Sequence, residues 1–204
     1  TDHTAATIKD IKQVVTSTSV SAEKYKDKPY LKKFWIHAEE HHTARQCLNT
    51  YDALQQCKQK GFDWLISLDA DELFSTGTGG RQSLHDFFNI ERTNNFDIIQ
   101  LPTLEVINRK MAYQNIMAEE TLFKKQKNFK SKFDQLYRNI YNPYTEKHIT
   151  TSYWLGHTMG KAAINVNKDV IPFNVHRYQF VDGTKPKIHT AGNILHYHLY
   201  DFQD

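Results

Sequence analysis

An apolar run that ends in a cluster of carboxylates constrains this sequence more than any other feature. Residues 62–68 read Phe-Asp-Trp-Leu-Ile-Ser-Leu, and Asp69, Ala70, Asp71 and Glu72 follow directly. A nearly continuous apolar run is typical of a strand that is buried on both faces of a sheet. Acidic residues at its end then lie at the edge where open α/β sheets bind their ligands. The segment therefore predicts a binding site at the carboxyl end of a buried strand.

The spacing of the two aspartates indicates a metal site. Residues i and i+2 of an extended chain point the same way, so Asp69 and Asp71 can face one cation. Hard oxygen ligands suit Mg²⁺ or Mn²⁺ better than Zn²⁺. The alternative is a loop in which the acidic side chains are solvated or cap a helix.

The remaining pattern predicts alternating helices and strands. Thr4 can cap a first helix that runs through Val15, and a second helix over residues 44–60 ends at Gly61. Its buried side should include Cys47, Leu48, Tyr51, Leu54 and Cys57. A short helix over residues 83–90 is capped by Ser83, and a strand over residues 96–106 is broken near Pro102. Such alternation is typical of the α/β class.

The last fifty residues are predicted to be rich in strands. A hairpin is expected from residues 160–166 and 170–178, with its turn at Asn167-Lys168-Asp169, and a final strand over residues 193–200. The stretch from Arg109 to Thr151 has no clean period, and one helix is expected there, around residues 129–141.

Composition limits the class of protein. With 204 residues, of which 39% are hydrophobic, the chain can form one domain with a substantial core. A net charge of +3 gives no reason to expect a nucleic-acid partner. Five lysines within residues 124–132 form either a solvated face of a helix or loop, which charge runs usually are, or a contact for a phosphate-rich ligand or an anionic membrane surface. Cys47 and Cys57 would lie about 15 Å apart on one helix and cannot form a disulfide, which fits the cytoplasm.

Histidine, lysine and arginine provide further candidate site residues. Most of the eleven histidines, His37, His41, His42, His85 and His148 among them, are expected to be ordinary surface or core residues. His196 and His198 share one face of the final strand, so a third metal ligand can come from there. Lys161 and Arg177 are either surface cations or groups that offset the charge of a diphosphate leaving group.

Three segments carry a resemblance to a known family. They are residues 62–74 with their D-x-D-E sequence, residues 160–177 from Gly160-Lys161 to Val175-His176-Arg177, and residues 194–202 beginning Ile194-Leu195-His196-Tyr197. Together they resemble the GT-A glycosyltransferases, in particular a bacterial branch of family 2-like transferases related to glycosyltransferase family 92. The resemblance covers most of the chain.

The resemblance implies a Rossmann-like GT-A domain, a mixed sheet flanked by helices, that binds a nucleotide-diphosphate sugar. Asp71 would bind Mn²⁺ or Mg²⁺, Asp69 the metal or the ribose, and His196 the metal. Glu72 would lie beside the donor sugar, and Lys161 and His176 would line the donor or acceptor side. No motif identifies the base that activates the acceptor, for which Glu119 and Glu120 are the candidates.

The resemblance also implies that the chain lacks the first two strands of that domain. Thr1-Asp2-His3-Thr4 looks like the tail of a motif that follows the second strand. The expectation is therefore a single GT-A domain over residues 1–204 without those strands.

The expected function is metal-dependent transfer of a sugar from a nucleotide donor, a UDP-sugar by preference, to a hydroxyl of a glycan or lipid-linked acceptor. Bacterial capsule or lipopolysaccharide synthesis, at the cytoplasmic side, is the expected context. The alternatives are a GT-A-like carbohydrate-binding module without catalysis and a haloacid dehalogenase-type phosphohydrolase, which also has Asp-x-Asp at a strand end.

Overall fold

A long helix follows the apolar period that the sequence predicts over residues 44–60. This helix spans His42–Lys60 in the computed structural model. The structure describes residues 11–77, 82–89, 95–125, 131–133, 136 and 159–197. Gly61 follows with a φ of +72°, a left-handed conformation that commonly ends helices. The predicted buried side is confirmed: Cys47, Leu48, Tyr51 and Leu54 are buried and Cys57 is half-buried. Both cysteines are free thiols, and burial raises the pKa of Cys47 to about 11.

The chain forms two compact units, Thr1–Ala53 and Leu54–Asp204. The first contains two short 3-10 turns, the four-residue helix α1, and the first part of the long helix, which we call α2. Their bounds are Ala22–Tyr25 and Pro29–Leu31 for the turns, Lys32–Trp35 for α1 and His42–Lys60 for α2. Buried Asp52 accepts hydrogen bonds from the Tyr25 hydroxyl and from Nζ of Lys24, which fixes the first turn against α2.

The described part of the predicted first helix is not helical. Residues 1–10 lie outside the described residues, and from Ile11 onward the chain makes one turn and then continues without regular structure. Ile11, Val14 and Val15 are exposed. Because a short helix needs tertiary contacts on its apolar side, these exposed side chains explain why the prediction was wrong here.

The second unit contains two four-stranded sheets and a hairpin. Sheet A has the strand order β1-β6-β3-β9, sheet B has the order β2-β10-β4-β5, and β7 pairs with β8. The bounds are β1 Trp64–Ile66, β2 Glu72–Ser75, β3 Ile98–Leu101, β4 Thr103–Val106, β5 Phe123–Lys125, β6 Lys161–Asn165, β7 Val170–Pro172, β8 Tyr178–Phe180, β9 Ile188–Thr190 and β10 Asn193–His196. Both sheets are mixed, since β3–β9 and β4–β10 are parallel and the other pairs antiparallel. The predicted α/β class with a mixed sheet is confirmed.

Sheet A is covered on both faces. On one face Ile98, Ala162 and Ile164 pack with Leu54 and the hairpin strands. On the other face Ile99, Leu101 and Ala163 pack with Ile194 of sheet B and with Phe87. Phe87 belongs to helix α3, Leu84–Asn89, whose amino end is capped by the Ser83 hydroxyl as predicted.

The predicted break at Pro102 is confirmed, and it divides one extended segment between the two sheets. β3 belongs to sheet A, and β4 begins one residue after Pro102 in sheet B. The Pro102 carbonyl accepts a hydrogen bond from the amide of Ile194 at 2.9 Å, so the break is tied to β10.

Two strand predictions need correction. Residues 160–178 do not form one hairpin, because β6 lies between β1 and β3 while β7 pairs with β8. Four of the five residues of β6 are buried, as expected of a central strand with neighbours on both sides. The apolar run over residues 62–68 gives only the three residues of β1, which are half-buried rather than buried on both faces because β1 ends the described part of sheet A.

Some predictions concern residues outside the described part. The helix expected around residues 129–141 falls mostly there, as do His148, His198, and Lys127 and Lys130 of the lysine-rich stretch. Among the described helices, none combines the length and the apolar character that a membrane span requires.

Candidate functional site at the junction of the two sheets

The predicted acidic segment connects the two sheets. β1 of sheet A ends at Ile66, and β2 of sheet B begins at Glu72. Between them the chain turns, with the Glu72 amide donating to the Asp69 carbonyl at 3.1 Å and the Asp69 amide donating to Oε2 of Glu72 at 2.9 Å. This turn holds the three carboxylates at the junction of the sheets.

Lys161 offsets the negative charge of two of these carboxylates. Its Nζ lies 2.6 Å from Oδ2 of Asp69 and 3.3 Å from Oε2 of Glu72. Lys161 is only 6% exposed and Glu72 9%, whereas the side chain of Asp69 is 48% exposed. Lys161 is at the start of β6, opposite Leu101 of β3, so the sheet register fixes its position.

His196 lies between two further carboxylates. Its Nε2 is 3.2 Å from Oδ2 of Asp71, and its Nδ1 is 3.0 Å from Oε2 of Glu105. The pairing of β10 with β2 and β4 places His196 opposite both Glu72 and Glu105. Burial lowers the pKa of His196, but the hydrogen bond and charge of Glu105, with the charge of Asp71, outweigh this and leave the pKa raised.

The distance between Asp71 and His196 fits a shared metal ion. Adjacent ligands at 2.0–2.1 Å from an octahedral ion lie about 3 Å apart, close to the separation seen here. The Glu105 carboxylate on the other ring nitrogen would orient the imidazole, which is the usual arrangement for a metal-binding histidine. Asp69 is already paired with Lys161, so of the predicted ligands Asp71 and His196 fit an ion best.

His176 differs from His196 in the direction of its pKa shift. Burial, and after it the charge of Lys161, lowers the pKa of this half-buried imidazole. Its Nδ1 is buried and has no hydrogen-bond partner among the described residues. An imidazole with an unused nitrogen can donate or accept one hydrogen bond.

A cavity of about 380 Å³ lies beside His176. Its lining includes Phe173, Tyr178 and Ile98 as the apolar part, and Arg177 and Lys185 as the charged part. Aromatic surface with a few polar and charged groups is typical of small-molecule sites.

Glu119 and Glu120 belong to a different, local network. Glu119 accepts from Nζ of Lys110 and from two backbone amides of residues 114 and 115. Fully buried Glu120 accepts from the Tyr113 hydroxyl at 2.6 Å and from Nε of Arg109 at 2.7 Å. The Tyr113 hydrogen bond, with Arg109, lowers the pKa of Glu120 to about 2 against the opposing effect of burial. The Glu119 pKa is also lowered, by the Asn115 amide first and then by Lys110.

The structure thus brings together side chains from three separate segments of the sequence: Asp69, Asp71 and Glu72 from the first, Lys161 and His176 from the second, and His196 from the third. Lys161 has short contacts with Asp69 and Glu72, and His176 lies near enough to have its pKa lowered by Lys161. Sequence reasoning missed Glu105, which is 4% exposed. The sequence feature that could have identified Glu105 is an acidic residue within the otherwise apolar Leu104-Glu105-Val106.

Comparison with known proteins finds similarity to two plant proteins. The chain is 28% identical to Glycosyltransferase-like At3g57200 of Arabidopsis thaliana over 166 residues, which are 79% of this chain and 30% of that protein. It is 26% identical to Glycosyltransferase-like At2g41451 of the same plant over 163 residues, 79% of this chain and 35% of that protein. No family model and no solved structure matches.

The chain therefore spans about a third of the length of the curated relatives it matches. Their names support a relationship to glycosyltransferases, and they give no support for a bacterial branch. At this level of similarity, the chain is related to glycosyltransferase-like proteins.

Proposed function

We propose that this chain is the metal-dependent catalytic part of a glycosyltransferase that moves a sugar from a nucleotide-diphosphate donor to a hydroxyl group. The observation that carries the proposal is the contact between Asp71 and His196 beside Lys161, in a chain related to glycosyltransferase-like proteins. A carboxylate and an imidazole next to a buried cation form a site that can hold both a divalent ion and an anionic leaving group.

The proposed ion is Mn²⁺ or Mg²⁺, which when bound would offset negative charge on the departing diphosphate. Asp71 and His196 are its proposed ligands, and Glu105 holds the His196 ring in place. Lys161 keeps Asp69 close at 2.6 Å, so that the Asp69 side chain, half exposed, can accept a hydrogen bond from a ribose hydroxyl.

The proposed donor sugar lies between Glu72 and His176. Glu72 is held by Lys161 and by the Asp69 amide, which fixes its carboxylate as a hydrogen-bond acceptor. His176 lines the cavity, and its imidazole is the proposed contact for a hydroxyl of the donor or the acceptor. The lowered pKa of His176 favours the neutral imidazole, in which one ring nitrogen can accept a hydrogen bond from a hydroxyl.

The cavity beside His176 is the proposed position of the acceptor. Phe173 and Tyr178 give it aromatic surface for a sugar ring, and Arg177 and Lys185 give it positive charge. A glycan or a lipid-linked acceptor that carries a phosphate or carboxylate group would fit this lining. Glu119 and Glu120 are weaker candidates for the base, because their lowered pKa values make them poor proton acceptors.

We also propose the fold family, the donor and the biological context of this enzyme. The motifs support a GT-A domain of the family 2-like type, with a UDP-sugar as donor and polysaccharide synthesis as its context. The support comes from the D-x-D-E segment and from the residues around Lys161 and His196. The mixed sheets agree with such a domain.

The test is titration calorimetry of the full chain with UDP, GDP and CDP, each with and without Mn²⁺. We expect one nucleotide to bind only with Mn²⁺, and Asp71→Asn to abolish that binding. Asp63→Asn is the matched control, because Asp63 is exposed and precedes the same strand that Asp71 follows. Binding of no nucleotide by the parent chain, or equal effects of the two substitutions, would contradict the proposal. Sugar binding that persists without nucleotide would favour a non-catalytic carbohydrate-binding module.

A further inference from the structure

A turn that precedes helix α2 brings three metal-binding side chains together. One ligand atom from each of His37, Glu40 and His41 lies within 4.8 Å of the other two, and all three residues are exposed. This set belongs to the unit Thr1–Ala53, whereas Asp71 and His196 belong to the other unit.

The backbone of this turn explains why the three side chains converge. The His41 amide donates to the His37 carbonyl at 2.9 Å, which is the hydrogen bond of one α-helical turn. Residues at positions i, i+3 and i+4 of such a turn lie on the same face. The two imidazole rings accordingly lie 5.6 Å apart, centroid to centroid.

Neighbouring residues hold the turn in this shape. Nη1 of Arg45 donates to the carbonyls of Ala38 and Glu39, at 2.8 and 3.0 Å. Ala38, in the same turn, is only 4% exposed, so the turn is packed against its unit on one side. The three ligands are therefore placed on the outer face before any ion binds.

The chemistry of the set selects a class of metal. Two imidazoles and one carboxylate are ligands that Zn²⁺ and neighbouring transition metals prefer, whereas Mg²⁺ and Ca²⁺ prefer oxygen alone. Around a tetrahedral Zn²⁺ with ligand distances near 2.0–2.1 Å, ligand atoms lie about 3.3 Å apart. Exposed side chains can close the remaining gap by small rotations.

We propose that His37, Glu40 and His41 form a Zn²⁺ site, distinct from the proposed Mn²⁺ or Mg²⁺ site at Asp71 and His196. Three protein ligands leave one position of a tetrahedral ion for water or for a group of another molecule. The bound ion connects His37 and Glu40 with His41, the residue directly before α2, and so stabilises the start of that helix. The sequence signal is the His-x3-His spacing of His37 and His41, with Glu40 directly before the second histidine, and it is missed when each histidine is considered singly.

The test measures Zn²⁺ binding to the full chain by titration calorimetry. It uses the Asp71→Asn background, so that the other proposed metal site does not contribute. We expect one Zn²⁺ per chain, and a loss of affinity of roughly tenfold or more in His41→Ala and in His37→Ala, since even residues that only support a ligand commonly change affinity by 10–100-fold.

His42→Ala is the matched control, because His42 is the next residue, is also exposed and is outside the set. We expect it to bind Zn²⁺ like the background. The melting temperature of the background and of His42→Ala should rise with Zn²⁺, and that of His41→Ala should not. Absence of Zn²⁺ binding in the background, or equal binding by His41→Ala and His42→Ala, would overturn the proposal. Helix content measured by circular dichroism confirms that each variant is folded.

Discussion

Replacing Lys161 by methionine tests whether the junction of the two sheets depends on a buried cation. Nζ of Lys161 lies 3.3 Å from Oε2 of Glu72, and the side chains of both residues are 7% exposed. At an effective dielectric constant of about 20, unit charges at this separation attract by roughly 5 kcal/mol before desolvation is subtracted. Removing one partner of a buried ion pair typically costs about 3–5 kcal/mol, because the other charge stays buried.

We place Lys161→Met at the lower end of that range, at about 3 kcal/mol. The second partner, Asp69, has a side chain that is 48% exposed, so water can solvate it once the lysine is lost. For a chain of this size the loss corresponds to a decrease of roughly 6–12 °C in melting temperature. Urea unfolding followed by far-ultraviolet circular dichroism, without nucleotide or metal, measures the free energy directly.

Two controls make the result specific to the buried charge. Lys168→Met removes an exposed lysine that lies 3.6 Å from Asp97, and it should cost less than about 1 kcal/mol. In the double variant Lys161→Met with Glu72→Gln, the unpaired carboxylate is gone, so the loss should be smaller than in Lys161→Met alone. If Lys161→Met costs no more than Lys168→Met, or if the two substitutions in the double variant are simply additive, the reasoning about a compensated buried charge is refuted.

Three further predictions concern backbone packing, core packing and acid stability in the second unit. Gly160→Ala should destabilise the protein by about 1–3 kcal/mol or more, because a Cβ there would lie 1.9 Å from the carbonyl oxygen of Leu101; chemical unfolding measures it, and a neutral result would refute the close approach. Ile164→Ala, at a fully buried position of β6, should cost about 2–5 kcal/mol, whereas Ile188→Ala, 52% exposed, should cost much less in the same assay. The pKa of Glu120 is lowered in the folded state to about 2, so its contribution to stability is present above the unfolded value of 4.5 and is lost as the pH falls from there toward 2. Glu120→Gln should therefore flatten the decline of unfolding free energy between pH 5 and pH 2, and an unchanged slope would contradict the lowered pKa.

Local signals made part of this fold predictable from the sequence. The apolar period of α2, the glycine that ends it and the interruption at Pro102 each act within a few residues, and the structure has them in place. Which strands pair with each other was harder to predict from the sequence. A hairpin between β6 and β7 satisfies the same local pattern as the observed pairs, but β6 is so apolar because it lies between two other strands.

In the candidate site, too, the local features were predictable from the sequence and the long-range contacts were not. The acidic segment from Asp69 to Glu72 is visible in sequence because it follows an apolar run. The partner of His196 was not visible, because Glu105 meets it only through the parallel pairing of β4 with β10. Long-range partners of this kind are set by sheet topology, which the periodicity of one segment does not contain.

The position of β10 in sheet B has a consequence for the order of folding. β10 lies between β2 and β4, although it is the last strand of the described chain to be synthesised. Its histidine meets Glu105 across 91 residues, and Lys161 meets Asp69 across 92. Loops of this length slow the closure of contacts, so the site forms late relative to α2. Until β10 leaves the ribosome, β2 and β4 each have an unpaired edge where β10 belongs, and in this interval the nascent chain is most open to aggregation.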